Sequence, residues 1–167
     1  MKIRLKYPDS TDKEFAAIME QNSYLEGVLW ADKAHRLDLD SSRDVSTEID
    51  AYGTGNKHFW RGVLETAGSL NDYANGNYSY PRIELKGSYC FLLKFVDFMK
   101  EEMEQDGLGM YWIDADEKLR FMASGGKVRL TGTMAQHVVK TLYTDATVSR
   151  ESFGERINRI WSWVPAR

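Results

Sequence analysis

The stretch "SYCFLLKFVDFMKEEMEQDG", Ser88 to Gly107, constrains this chain more than any other, because its apolar residues recur at Leu92, Phe95, Val96, Met99 and Met103. That spacing of three and four predicts an amphipathic helix stopped by Gly107. Such a stripe is stable only when another element covers it. The rest of the chain must therefore supply complementary apolar faces.

Several segments do so. "TDKEFAAIMEQN" sets Phe15, Ile18 and Met19 at helical spacing with acids in its first turn. Gly27 then separates it from "VLWADKAHRLDLD", which reads as extended structure. Asn56 is placed to cap a helix running to about Gly68, with Phe59, Trp60, Val63, Leu64 and Ala67 on one stripe. "TMAQHVVKTLY" repeats the helical period through Met134, Val138 and Leu142. The last helix takes Ser152 and Glu155 as a capping box and Phe153, Ile157, Ile160 and Trp161 as its apolar face, with Pro165 ending it.

Other segments alternate. "KIRLKY" places Ile3, Leu5 and Tyr7 between basic residues, the period of a half-buried strand, and "RIELK" reads as another. "MYWIDADEKLRFMASGGKVRLTG" reads as two or three short strands, with "DADEK" and "SGGK" as turns. "NDYANGNYSYP" reads as a loop, and "SSRDVSTEIDAYG" carries no clear period. Hairpins beside separately clustered helices imply an α+β class: one domain over residues 1–167, with a mainly antiparallel sheet and about four or five helices.

Cys90 is the one cysteine, so an intramolecular disulfide and a cysteine-based zinc site are both excluded. No N-terminal run has the shape of a signal peptide, and "YCFLLKFVDFM", broken by Lys94 and Asp97, is too short to span a bilayer. A cytoplasmic location is expected. The net charge of -3 is unevenly spread: eleven acids face seven bases over Met1–Asp50, and four face six over Ala51–Lys100. An acidic first third favours a cationic partner over nucleic acid, whose phosphates need Lys and Arg.

Chemistry concentrates in "GTGNKHFWRG", Gly53 to Gly62. On a helix, Lys57 and Arg61 project together with His58 beside them, around the free N–H groups of the first turn, and this would suit a phosphate or carboxylate. The glycines match neither a P-loop nor a dinucleotide fingerprint, so the segment reads first as a helix start with a basic polar face. His35, His58 and His137 share no ligand spacing. Asp114, Asp116 and Glu117 lack the glycine and terminal Glu of a calcium loop. No catalytic residue, metal site or cofactor is assigned.

Two surface features remain. "LDLDSSRDVSTEID" supplies Asp38, Asp40, Asp44, Glu48 and Asp50 against Arg43 alone, and Asn71 to Tyr80 sets Tyr73, Tyr78 and Tyr80 among Asn, Gly and Ser. Tyrosine among small polar residues is the composition of adaptable protein-binding loops. In size, mild acidity, aromatic content and lack of a catalytic motif the whole chain resembles bacterial toxin-immunity proteins. The resemblance implies a protein inhibitor that binds a cognate toxin domain, such as a basic nuclease, without binding nucleic acid or membrane itself. Those acids and tyrosines are the expected contact residues. The competing expectation is a small enzyme or binding protein for an anionic or phosphorylated ligand at Lys57, His58 and Arg61.

Overall fold

The computed structural model describes residues 12–37, 56–75, 78–105 and 109–165. They form helices α1 (Asp12–Leu37) and α2 (Lys57–Ala67), strands β1 (Gly68–Asn75) and β2 (Tyr78–Lys86), helices α3 (Tyr89–Gln105) and α4 (Gly109–Ser124), strand β3 (Lys127–Thr131), helix α5 (Gly132–Tyr143), a 3-10 turn (Glu151–Phe153) and helix α6 (Gly154–Trp161). This is an α+β fold with an antiparallel sheet of order β1-β2-β3. Six helices among the described residues exceed the expected four or five, because a region read as strands is helical.

The expected stripes of α2, α3 and α5 are the core. Phe59, Trp60, Val63 and Leu64 are buried together with Leu92, Phe95, Val96, Met99, Met103, Val138 and Leu142. Trp60 is the hub, with its ring 5.1 Å from Phe59, 5.4 Å from both Phe91 and Phe95, and 6.2 Å from Phe98. Such edge, tilted and stacked contacts add directional preference to the apolar burial. The sheet closes this core with one face, on which Leu70, Ile83, Leu85, Val128 and Leu130 are buried. The ladder places Leu70 opposite Ile83 and Ile83 opposite Leu130, so three strands bury one continuous row.

Several expectations are corrected. The segment from Val28 to Leu37, read as extended, is the second half of α1. Gly27 does not end that helix; it is where α2 crosses it. A Cβ on Gly27 would lie 1.9 Å from the Phe59 carbonyl oxygen, and one on Gly62 would lie 2.1 Å from that of Tyr24. The two backbones touch through glycine on both sides, a contact no other residue allows.

Residues 109–124, read as strands with a turn at "DADEK", form α4. Leu119 and Ala123 are buried and Ala115 and Met122 are partly buried, spaced by three and four, and this face lies on α3. Arg120 pins the pair by donating to Asp97 of α3 at 2.6 Å and to Asp116 of α4 at 2.9 Å. The run read as a loop, Asn71 to Pro81, lies mostly in the β1–β2 ladder. Polarity alone gave no sign of the pairing.

At the C-terminal end the capping box does not form: Ser152 lies in the 3-10 turn, and no side chain caps α6. Trp161 is exposed rather than core-facing, while Ile157 and Ile160 are buried. Beyond α6, the Trp163 indole N–H donates to the Ser79 carbonyl at 2.8 Å. The buried Gln136 side chain donates to the carbonyls of Ile160, Trp161 and Trp163. The segments "KIRLKY" and "SSRDVSTEIDAYG" lie outside the described residues.

Candidate functional site

Asn56 caps α2 as its sequence suggests, its side-chain oxygen accepting from the His58 N–H at 2.8 Å. Lys57, His58 and Arg61 therefore stand on the first turns of one helix, four-residue spacing putting Lys57 and Arg61 on the same side. That side faces the protein's own chain. Arg61 is fully buried; its Nε donates to the Val148 carbonyl at 2.8 Å, one terminal nitrogen to the Leu142 carbonyl at 2.8 Å and the other to Glu20 Oε1 at 2.7 Å. Lys57 Nζ donates to the Thr144 carbonyl at 2.9 Å.

This corrects the reading of Arg61 as an anion ligand, since a guanidinium with no exposed surface and three internal acceptors offers nothing to an incoming phosphate. The physical reason is Glu20. Its carboxylate is itself buried and accepts from the Thr147 N–H at 2.8 Å, the Thr147 hydroxyl at 2.9 Å and the Val148 N–H at 3.2 Å. Burial alone would raise its pKa, but those hydrogen bonds and the charge of Arg61 outweigh burial and hold it below the ordinary carboxylate value.

A second carboxylate completes the network. Glu65 of α2 accepts from the Tyr24 hydroxyl, from the Tyr143 hydroxyl at 2.9 Å and from the Arg150 N–H at 2.8 Å. Burial and the neighbouring Glu65 push the Tyr24 phenol up to about 12 and raise Tyr143 as well. Arg61 lies between the Tyr24 and Tyr143 rings, 5.8 Å and 6.0 Å from their centroids. The network ties α1, α2, α5 and the coil of residues 144–150 into one unit. His58 Nδ1 is the one imperfect member: it is buried without a hydrogen-bond partner, 3.7 Å from Glu20 Oε1. Burial first, then Arg61 and Lys57, lower its pKa below 6.5, and Glu20 opposes them.

Sequence reasoning missed Glu20, Tyr24, Glu65 and Tyr143. One signal was present. Glu20, Tyr24, Gly27 and Ala31 fall at i, i+4, i+7 and i+11, a buried stripe that begins with a charge. The other side of α1 carries the converse. Ile18, Leu25 and Leu29, spaced by seven and four, are 41%, 47% and 69% exposed, with Met19 at their flank at 47%. Ile18 and Met19, read as core residues, thus face solvent.

Tyr73 and Tyr80 are direct partners in the β1–β2 ladder, and Tyr78 pairs with Asn75. Tyr80 is half-buried. Asp38, Asp40, Asp44, Glu48 and Asp50 lie outside the described residues, and α1 ends at Leu37, one position before them. On the solvent face of the sheet Glu84 gathers cations: Arg82 from its own strand, Lys127 Nζ at 3.2 Å and Arg129 Nε at 3.5 Å. Among the described residues no cluster of three or more His, Cys, Asp or Glu is arranged to hold a metal ion, and no helix is long and apolar enough to cross a membrane.

Fold and site together define a helix-rich α+β protein whose longest helix is fixed on one side by a buried ionic network and presents an apolar stripe on the other. No family model, no curated protein and no solved structure matches this chain.

Proposed function

We propose that the protein acts by binding another protein, as an inhibitor of the toxin-immunity kind, and that α1 is its principal contact. The observation that supports this reading most is the exposed stripe Ile18, Leu25 and Leu29 on a helix whose opposite side is sealed. Single exposed apolar residues are ordinary, but three on one face of one helix form the pattern of an anchor for a hydrophobic groove. The partner has an apolar groove rimmed by basic residues. The charge of the chain supports this, since its first fifty residues carry eleven acids against seven bases and the acidic run Asp38–Asp50 follows α1 directly.

Electrostatic attraction of this kind accelerates encounter, while buried apolar contacts slow release. The test uses the purified product of the neighbouring gene as partner and measures association, dissociation and neutralisation of its activity. Leu25→Ser with Leu29→Ser should leave the fold intact and speed dissociation by about tenfold or more, the effect of losing a contact worth 1.4 kcal/mol or more. Asp38→Lys with Asp40→Lys should slow association, with the deficit shrinking as salt rises. Tyr80→Ala tests whether the hairpin takes part. Unchanged kinetics in the first two variants would remove the assignment.

A further inference from the structure

Beside the apolar stripe of α1 stands a carboxylate without a counter-charge among the described residues, that of Glu26. It is half-buried, and it lies one helical turn from Leu29, which is exposed, and from Trp30, which is buried. Ser23, a turn before it, accepts from the Asn56 side chain at 3.1 Å, so Glu26 marks the flank where the stripe gives way to the side packed on α2. We propose that Glu26 selects the partner of this face: the surface that docks on Ile18, Leu25 and Leu29 brings an arginine or lysine side chain onto its carboxylate. The inference rests on the reading of α1 as a protein-binding helix and adds the residue that decides which proteins fit.

The helix offers Glu26 no cation. From Glu14 to Ala31 it contains no Lys, Arg or His, and the positions three and four residues to either side of Glu26 are Asn22, Ser23, Leu29 and Trp30. A helical glutamate ordinarily finds support at these spacings. No hydrogen bond or ion pair of Glu26 occurs among the described residues, and burial alone acts on its carboxyl, raising its pKa above the ordinary value. Glu20 of the same helix shows the contrast. Burial acts on it too, but hydrogen bonds from Thr147 and Val148 and the charge of Arg61 hold it below that value.

Docking makes the position decisive. An apolar surface laid over Leu25 and Leu29 takes water from Glu26 as well, and an ionised carboxylate that loses water without gaining a partner opposes association. A groove that presents a cation there replaces the lost hydration with a charge-assisted hydrogen bond, whereas a purely apolar or acidic groove does not. Selection then comes from the penalty on wrong partners as much as from attraction to the right one. The remaining charge agrees. Glu20 is buried, so Glu14 and Glu26 are the charges that this length of helix shows to solvent, and both are negative.

The test titrates the isotope-labelled full chain with two synthetic helical peptides that share one leucine face and carry only lysine or only glutamate on the other. Binding is followed by the backbone amide resonances. The lysine peptide should give saturable shifts at Leu25, Glu26 and Leu29, and the glutamate peptide should bind at least about tenfold more weakly. Glu26→Gln keeps the size and shape of the side chain and removes an unpaired charge, so its thermal midpoint should not fall. It should nevertheless weaken the lysine peptide about fivefold, the scale of one ion pair, and Glu26→Arg should turn the preference toward the glutamate peptide. Leu25→Ser with Leu29→Ser separates this inference from the reading beneath it. Lysine-peptide binding that survives the serine variant would remove α1 as the contact. If binding needs the two leucines but ignores Glu26→Gln, grows tighter with it, or is equal for the two peptides, α1 remains the contact and the role of Glu26 is overturned. Absence of saturable binding by the lysine peptide would overturn that role as well.

Discussion

Arg61 shows how much of this structure rests on one side chain. Removing it as Arg61→Met would leave Glu20 buried beside its remaining donors without its cation, a loss of about 3 to 5 kcal/mol. Urea unfolding should show this as a lower midpoint at unchanged slope. His58 adds a pH dependence whose sign follows from its lowered pKa. The unfolded chain binds the proton more readily than the folded one, so this contribution is complete above about 6.5 and is lost as pH falls toward the folded value. Glu20, also lowered, loses its contribution only below 4.5. Stability should therefore begin to fall in the window just below 6.5, and His58→Gln should remove that first decline while keeping the later one. None of this was legible in "GTGNKHFWRG", because a basic cluster reads alike whether it faces water or protein. Its outcome was settled by Glu20, forty-one positions before Arg61.

The elements were legible where one side of a helix is apolar over its whole length. The stripes of α2, α3 and α5 could be read at once, since apolar burial dominates them and no competing period intrudes. α4 was misread because "MYWID" and "KLRFM" alternate briefly, and the spacing Ala115, Leu119, Met122, Ala123 becomes decisive only over the longer window. α1 was cut at Gly27 because glycine in a sequence signals a break, whereas here it marks a crossing. That difference can be measured. Gly27→Ala and Gly62→Ala each drive a methyl group into a backbone carbonyl and should cost about 1 to 3 kcal/mol or more. Gly154→Ala, with nothing within 4 Å of the added carbon and a helical φ of -55°, should be neutral or stabilise by about 0.4 to 1 kcal/mol. Thermal unfolding of the three variants distinguishes a structural glycine from an incidental one.

At the scale of the molecule the α+β class followed from the mixture of periods, but the connection between its two ends did not. The coil of residues 144–150 has no regular secondary structure, yet its N–H groups at Thr147, Val148 and Arg150 are bonded to carboxylates of α1 and α2. Hydrogen exchange at these amides should be as slow as in neighbouring helices, and Glu20→Leu should speed it at Thr147 and Val148 by more than about tenfold while sparing Arg150, which Glu65 holds. Equal acceleration at all three would show that the coil is released as a whole. Such long-range polar contacts leave no periodic trace in a sequence, since each depends on two residues brought together only by the completed fold.

The glycine crossing also bears on how α1 meets another molecule. Two helices in backbone contact have almost no room to slide or roll, so the outward residues are held in place before any encounter. Little freedom is left to surrender on docking, and more of the contact energy remains as affinity. A partner would meet a rigid ridge, shaped in advance from behind by two residues that themselves have no side chain.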